Sequence, residues 1–487
     1  MQSNYYLVTL AVIATLMAFS GAVSIRESVA ERNEHRFQKM HRFATTVWAT
    51  TLLAVCCLLA HASACLAMIL NKQRPVSGFA VVFAAHLSIA AFVFSFSGII
   101  GAVALVVLAA VASALTWAFF RPTTFAVVAL LLSAVFAVQA VQEWRSAEFD
   151  PYLVLDFTNR NQIDEEHMSL TLSKTLALIY AIPTLATRLQ LTHLFKYVSG
   201  RAGPVYSRRL QTDAEKKVAI YDEFIAPLHV NMSLFERQDY RQYESVNDWF
   251  ARSIRPEERP FRASPPRARP SNRNLLLMGI GSPADGRILV FPRLGRDARL
   301  WLKHEPLAVH DLLGGEQLPE RFRSLDFTDG YAAVVRLAPQ DYHRVHVPRA
   351  ARVLHQYLVD GPLLSVSAIA MRSGNGAIYN KRLVTILQTR DWLNRTGTYI
   401  VVSIGATAVG SVSSVVSEGD VVAGGDTLHE FRFGGSTTVV LFPNSQLMIW
   451  SPRLVDNSRA GVETLVRQGD AIGTTYWFGY PDIPPSP

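Results

Sequence analysis

The chain has 487 residues, of which 50% are hydrophobic and 18% charged, and its formal net charge is +8. This length predicts two or more domains, and the composition excludes a disordered or collagen-like chain. The moderate positive charge suits an anionic partner such as a lipid headgroup and is too small to indicate a nucleic-acid partner. The cysteines, Cys56, Cys57 and Cys65, lie in one apolar run. The sequence beyond them therefore excludes a disulfide framework or a cysteine metal site.

Long apolar runs fill the first third of the chain, at residues 5–23, 45–70, 75–120 and 123–141. A membrane-spanning helix needs about 20 apolar residues. As a single helix, residues 75–120 would be about 69 Å long, so they are expected to fold back as two spans. The sequence therefore predicts a membrane region of about five transmembrane helices over residues 1–145.

The basic residues indicate an orientation for this region. Arg26, Arg32, Arg36, Lys39 and Arg42 crowd the first loop, which the positive-inside rule places in the cytoplasm. Five spans then put the rest of the chain on the cytoplasmic side, in a bacterial inner membrane or, as the alternative, in a eukaryotic organelle membrane.

A second domain is predicted over residues 201–487, after a linker at 146–200 that carries an interfacial amphipathic helix at 176–186. Seven arginines between residues 252 and 273, interrupted by prolines, read as a basic loop. A solvated linker and a contact with anionic lipid are both open readings of it.

From about residue 275 the pattern changes to short β-branched runs between Gly, Pro and Asp. We predict strands at 287–291, 331–337, 399–404, 408–416 and 437–442, in a mostly β (α+β) domain with a few helices. No Walker loop, HExxH, GxSxG or dinucleotide-binding glycine motif is present in the sequence.

Three clusters of the second domain carry reactive side chains: Asp285 in a Pro-Ala-Asp-Gly turn, His343 and His346 in DYHRVHVP, and Ser436 in GGST. The histidines lack a nearby acidic or cysteine ligand, so acid–base work is expected rather than metal binding. Asp, His and Ser together can activate a hydroxyl nucleophile. The residue types leave open whether that hydroxyl attacks a substrate or its own backbone.

The sequences of these clusters and their order along the chain resemble those of the phosphatidylserine decarboxylases, a self-processing pyruvoyl-dependent family. The matching stretches are YESVNDWFAR at 243–252, PADG at 283–286, DYHRVHVP at 341–348, GATAVGS at 405–411 and GGST at 434–437. The usual LGST of the family reads GGST here, which keeps the Gly435–Ser436 pair. The resemblance implies the fold of this family for the second domain.

The resemblance also implies a mechanism. Asp285 orients and supports His346, which takes a proton from Ser436. The serine hydroxyl then attacks the Gly435 carbonyl, and the chain separates between Gly435 and Ser436. Ser436 becomes a covalent pyruvoyl cofactor that decarboxylates phosphatidylserine to phosphatidylethanolamine, and His343 protonates the product.

The expected partners are the membrane, an anionic phospholipid substrate and the paired α and β chains produced by cleavage, with a homo-oligomer left open. Neither a metal nor a nucleic acid is expected. Three alternatives remain: a membrane-tethered serine hydrolase that uses Asp285, His346 and Ser436, a non-catalytic lipid-binding membrane protein, and a soluble amino-acid decarboxylase relative.

Overall fold

The strands of the second domain assemble into one large sheet and three small ones in a computed structural model of the chain. The structure describes residues 25–50, 152–159, 163–166, 228–263, 278–366 and 379–477. Short gaps fall at 296–298, 303–304, 391–395, 407–410 and 433–435, and scattered helical residues are described between 138 and 178.

The strands are β1 Tyr152–Asp156, β2 Ile163–Glu166, β3 Met278–Gly281, β4 Gly286–Phe291, β5 Arg299–Leu302, β6 Glu305–Ala308, β7 Tyr331–Leu337, β8 Arg344–His346, β9 Ala351–Val359, β10 Arg382–Arg390, β11 Thr396–Ile404, β12 Ser411–Ser414, β13 Val421–Val422, β14 Thr427–Arg432, β15 Ser436–Phe442, β16 Gln446–Trp450, β17 Thr464–Val466 and β18 Ala471–Trp477. Helices cover residues 25–50, Val246–Phe250, Val309–Leu312 and Pro452–Arg459. Short 3-10 turns occupy Met232–Leu234, Tyr240–Gln242, Pro256–Glu258, Gly315–Gln317 and Glu320–Phe322. The mostly β character predicted for this domain is confirmed.

The large sheet has ten strands in the order β13-β9-β10-β11-β15-β7-β4-β17-β1-β2. β1 runs parallel to β17, whereas the neighbouring pairs around β15 and β7 are antiparallel. Smaller sheets are formed by β12-β14-β8, by β16-β18-β3 and by the hairpin β5-β6. β15 therefore lies well inside the large sheet, with a strand on each side.

The core covers both faces of the large sheet, which explains the continuous apolar runs. Along β15, Val440 and Phe442 belong to one cluster of buried side chains, and Val439 and Leu441 to another. Successive side chains of a strand point to opposite faces, so a strand buried on both faces shows no polar alternation.

The sheet extends to the N-terminal side of the boundary predicted at residue 201. β1 pairs with β17, and the Asn33 side chain exchanges two hydrogen bonds of 2.8 and 3.0 Å with the backbone of Leu153 in β1. Residues 1–35, 151–169 and 182–487 accordingly form one compact unit, and 36–150 with 170–181 form another. In the second unit, the Trp48 indole donates to the Leu178 carbonyl at 2.7 Å.

The five predicted spans lie outside the described residues, except for helical residues at 45–50 and near 138–141. Among the helices that the structure does describe, none is both long and apolar enough to cross a membrane. Most of the predicted interfacial helix at 176–186 also lies outside the described residues.

Candidate active site

Ser436 is the first residue of the central strand β15. Its backbone is paired with that of Leu337, the last residue of β7, and its side chain is completely buried. The Ser436 hydroxyl makes no hydrogen bond to any described residue. Gly434 and Gly435 lie outside the described residues. The hydroxyls of Thr437, Thr389 and Thr475 are likewise buried without a described partner, so Ser436 is distinguished by its place in the GGST cluster and at this edge of the sheet.

Asp285 lies at the same edge of the sheet as Ser436. It immediately precedes β4, which begins at Gly286 and is the neighbour of β7 on the side opposite β15. Because adjacent strands are about 4.8 Å apart, the backbones of Asp285 and Ser436 are separated by about 10 Å. The end of β7 lies between them.

The Asp285 carboxylate is held in place by two other segments. Arg259 donates from Nε and Nη2 over 2.6–3.1 Å, and the Gln468 backbone amide donates at 2.8 Å. Arg259 and Asp285 are both mostly buried, so this ion pair is shielded from solvent. Burial lowers the pKa of Arg259, but the charge and hydrogen bonds of Asp285 outweigh it and leave the pKa raised.

The chain leaving β7 returns directly to the Asp285 turn. The His346 backbone amide donates to the Pro283 carbonyl at 2.6 Å, which joins β8 to the turn two residues before Asp285. β8 also pairs with β14, the strand that precedes Ser436 in the chain. The structure therefore joins the histidine segment to the Asp285 turn and to the strand that leads to Ser436.

The His346 ring is bound differently from the expected arrangement. Its Nδ1 lies 2.7 Å from the Gly425 carbonyl oxygen, and its Nε2 lies 3.0 Å from the Tyr342 hydroxyl. No hydrogen bond joins Asp285 to His346 among the described residues; the carboxylate accepts from Arg259 and Gln468 instead. Asp285 acts on His346 through its charge instead.

The pKa of His346 is lowered, with burial as the largest cause. The Gly425 hydrogen bond and the negative charges of Asp285 and Asp426 oppose this shift, and Arg344 reinforces it. The imidazole is therefore neutral near pH 7 and able to act as a general base.

His343 is fully buried in different surroundings. Its Nδ1 lies 2.8 Å from the Asp341 carbonyl oxygen, and its ring packs edge-on against Phe250 with centroids 4.8 Å apart. A carbonyl can only accept a hydrogen bond, so Nδ1 carries a hydrogen and Nε2 is the nitrogen available for proton exchange. The Phe431 backbone amide donates to the His343 carbonyl at 3.0 Å, which ties the residue to β14.

Arg252 fixes the loop that carries the histidines. Its guanidinium is completely buried, 4.5 Å from the Phe235 ring centroid and 4.1 Å from that of Trp249. It donates to the carbonyls of Gln340 and Asp341 at 3.1 and 2.7 Å. The NDWFAR motif therefore supports the DYHRVH motif directly.

The reading of residues 252–273 as a solvated or lipid-facing loop is wrong for Arg252 and Arg259, whereas Arg262 is exposed. Arg252 is buried, Arg259 binds Asp285, and Arg255 and Arg262 pair with carboxylates. Arg267, Arg269 and Arg273 lie outside the described residues. A charge count could not separate these uses, because burial is decided by distant segments.

A cavity of about 270 Å³ borders the cluster, and its walls include Asp285, Tyr342, Arg259, Gln340 and Arg467. It offers a small polar group room beside the Asp285 turn. Among the described residues, no group of three or more His, Cys, Asp or Glu side chains is arranged to hold a metal.

Sequence reasoning did not single out Tyr342 or Arg259. Tyr342 stands between Asp341 and His343 in the quoted motif, so its position was a usable signal. Arg259 offered only its charge, and its pairing with Asp285 depends on the tertiary structure.

Comparisons with known proteins agree with this cluster. The family model for phosphatidylserine decarboxylase matches residues 246–474. A phosphatidylserine decarboxylase proenzyme of Chlamydia trachomatis is 31% identical over 257 residues, which cover 52% of this chain and 74% of that protein.

Two longer yeast relatives match in part. The phosphatidylserine decarboxylase proenzyme 2 of Komagataella phaffii is 31% identical over 318 residues, covering 64% of this chain and 28% of its own length. The proenzyme 2 of Saccharomyces cerevisiae is 32% identical over 236 residues, covering 48% of this chain and 19% of its own length. The site geometry, the family match and the coverage of the chlamydial relative lead to one conclusion: this chain belongs to the phosphatidylserine decarboxylase family.

Proposed function

We propose that this chain decarboxylates phosphatidylserine to phosphatidylethanolamine after cutting itself between Gly435 and Ser436. The observation that carries the proposal is the position of the buried Ser436 at the same sheet edge as Asp285, in a chain of the phosphatidylserine decarboxylase family. The segment that bears His343 and His346 leaves the strand between them.

In the proposed cleavage, neutral His346 accepts the proton of the Ser436 hydroxyl, and the oxygen attacks the Gly435 carbonyl. The peptide bond becomes an ester, and β-elimination releases the Gly435 carboxylate and leaves dehydroalanine at position 436. Uptake of water and loss of ammonia then give a pyruvoyl group. The negative charge of Asp285 stabilises the imidazolium that forms on His346. The products are residues 1–435 and a chain of 52 residues, 436–487.

The residues at this position fit such a group, since the Ser436 hydroxyl is buried and uncommitted to the described residues. The pyruvoyl carbonyl supplies an electron sink for the bond to the departing carboxylate when the substrate amine condenses with it. We assign His343 the later proton transfer to the substrate carbon. Because its Nδ1 donates to the Asp341 carbonyl, Nε2 is the atom that would take up a proton released by the substrate amine and later pass it to the substrate carbon.

We also propose that residues 1–145 anchor the chain in the membrane, with the catalytic domain on the cytoplasmic side. The long apolar runs and the basic first loop support this. In sealed vesicles of known orientation, a C-terminal tag should be digested by added protease only when the cytoplasmic face is outside. Digestion in the opposite orientation would contradict the proposed topology.

The central test compares the natural chain with Ser436→Ala and with Ser413→Ala, a serine of β12 outside the site. The natural chain and Ser413→Ala should run as two fragments on a denaturing gel and release carbon dioxide from phosphatidylserine. Ser436→Ala should stay whole and release none.

Two outcomes would contradict the proposal. Normal cleavage in Ser436→Ala would remove Ser436 as the site. A natural chain that stays whole yet reacts with serine-directed phosphonates would favour the serine hydrolase alternative.

A further inference from the structure

The hydrogen bonds around His346 fix which of its nitrogens is basic. Nδ1 faces the Gly425 carbonyl at 2.7 Å, and because a carbonyl only accepts, Nδ1 carries the hydrogen. Nε2 therefore holds the lone pair, and the Tyr342 hydroxyl, 3.0 Å away, donates to it. Tyr342 thus occupies the atom to which the proposed cleavage assigns the serine proton, so its O–H must release Nε2 as that proton arrives.

Tyr342 is itself held in place. Its side chain is only 3% exposed, its ring packs on that of Phe235 with centroids 6.3 Å apart, and Ile254 belongs to the same buried cluster. Arg252, two residues before Ile254, binds the carbonyl of Asp341, the residue preceding Tyr342. The phenol is therefore a fixed group rather than a surface side chain that happens to lie nearby.

We propose that Tyr342 is a positioning residue for self-cleavage: its hydroxyl holds the neutral tautomer and the orientation of His346, and thereby sets the pH at which cleavage begins. This inference rests on the proposed function, in which His346 is the base.

The physical reason is that the phenol has a single hydrogen to donate, and in the structure that hydrogen is directed at Nε2 of His346. If His346 becomes charged, Nε2 gains a hydrogen and the Tyr342 O–H loses its acceptor. The hydrogen of the phenol would then be left without an acceptor in a buried site. Tyr342 therefore disfavours the imidazolium. Asp285 and Asp426 favour the imidazolium through their charges, and Arg344 disfavours it.

The experiment follows cleavage of the full-length chain after synthesis. The chain is made by a short pulse of cell-free translation with lipid vesicles, and aliquots are moved to buffers between about pH 5.5 and 9. The fraction cut is followed on denaturing gels. For the natural chain, the rate should rise with pH to a plateau, because only neutral His346 accepts the proton.

Tyr342→Phe keeps the ring and removes the hydroxyl. We expect its midpoint to move to higher pH by about one unit, which is the scale of one buried hydrogen bond, and its plateau rate to fall. Tyr399→Phe is the matched control. Tyr399 is also buried, and its hydroxyl donates to the Arg349 backbone carbonyl at 2.6 Å rather than to a histidine. Its profile should match that of the natural chain.

A second variant tests the sign without removing the hydroxyl. 3-Fluorotyrosine at position 342 is a stronger donor of nearly the same size, so the midpoint should move to lower pH. This arm decides the matter if Tyr342→Phe does not fold. An unchanged midpoint in the fluorinated chain, or in a folded Tyr342→Phe, while the natural chain cleaves normally would overturn the role of Tyr342 alone. A natural chain that cleaves at no pH would overturn the proposed function and this inference with it.

Discussion

A histidine outside the candidate site should make the stability of this protein depend on pH. His429 in β14 is completely buried, and both of its ring nitrogens face hydroxyls: Thr385 Oγ1 at 2.8 Å from Nε2 and Ser403 Oγ at 2.8 Å from Nδ1. Ser403 in turn lies 3.1 Å from Thr438 Oγ1 in β15. Burial lowers the pKa of His429 to about 3.

The sign and size follow from proton linkage. The unfolded chain binds a proton at His429 near pH 6.5, whereas the folded chain does not until about pH 3. Between these values the unfolded state holds more protons, so the free energy of unfolding falls as the pH drops. The slope is at most about 1.4 kcal/mol per pH unit, so acidification from pH 7.5 to 5.0 should remove about 2 kcal/mol through this residue.

The assay compares His429 with His429→Gln, whose amide can bond both hydroxyls and does not titrate. Both are made in the Ser436→Ala background, so that each sample is a single chain. Urea unfolding at several pH values gives the free energy of unfolding by linear extrapolation. His310→Gln is the control, because the His310 side chain is 63% exposed, in contrast to the buried His429.

We expect the free energy of unfolding of the His429 chain, minus that of His429→Gln, to fall by about 2 kcal/mol between pH 7.5 and 5.0, since all other titrating groups cancel. A difference that stays constant over this range would show that His429 titrates alike in the folded and unfolded chains, and would refute the reasoning.

The other predictions concern the site and its support. His346→Ala should block self-cleavage, whereas His343→Ala should be cleaved and then decarboxylate substrate slowly. Denaturing gels measure the cleavage, and carbon dioxide release measures the turnover. The reverse pattern would exchange the roles of the two histidines. Arg252→Lys should lower the free energy of unfolding by about 2–4 kcal/mol, since an ammonium cannot replace a guanidinium that stacks on rings and donates to two carbonyls. The same change at the partly exposed Arg255 should lower it by less than about 1 kcal/mol. Equal losses for the two variants in urea unfolding would contradict the role of burial. A chain that begins at Gln190 lacks β1 and β2 and should unfold at lower urea concentration than the full chain, because β17 loses its parallel neighbour; an unchanged midpoint would show that β1 adds nothing to the sheet.

The local pattern of the sequence determined several strands and the order of the reactive clusters. The predicted strand at 331–337 coincides with β7, and those at 287–291 and 437–442 each begin one residue after the observed strand starts. β-Branched runs between Gly, Pro and Asp are set by neighbouring residues, so a linear reading can recover them. The clusters around Asp285, His346 and Ser436 could be recognised in the same way, because each is a short contiguous motif of the family.

Contacts between distant segments needed the tertiary structure. The pairing of β1 with β17 joins residues about 300 positions apart, and the sequence pattern of neither segment predicts it. The sequence suggested that Asp285 would orient His346. In the structure, Asp285 forms hydrogen bonds with Arg259 and Gln468. The His346 ring nitrogens face Gly425 and Tyr342 instead. A hydrogen bond goes to whichever group packing brings within about 3 Å, and that depends on the whole sheet rather than on the spacing of residues along the chain.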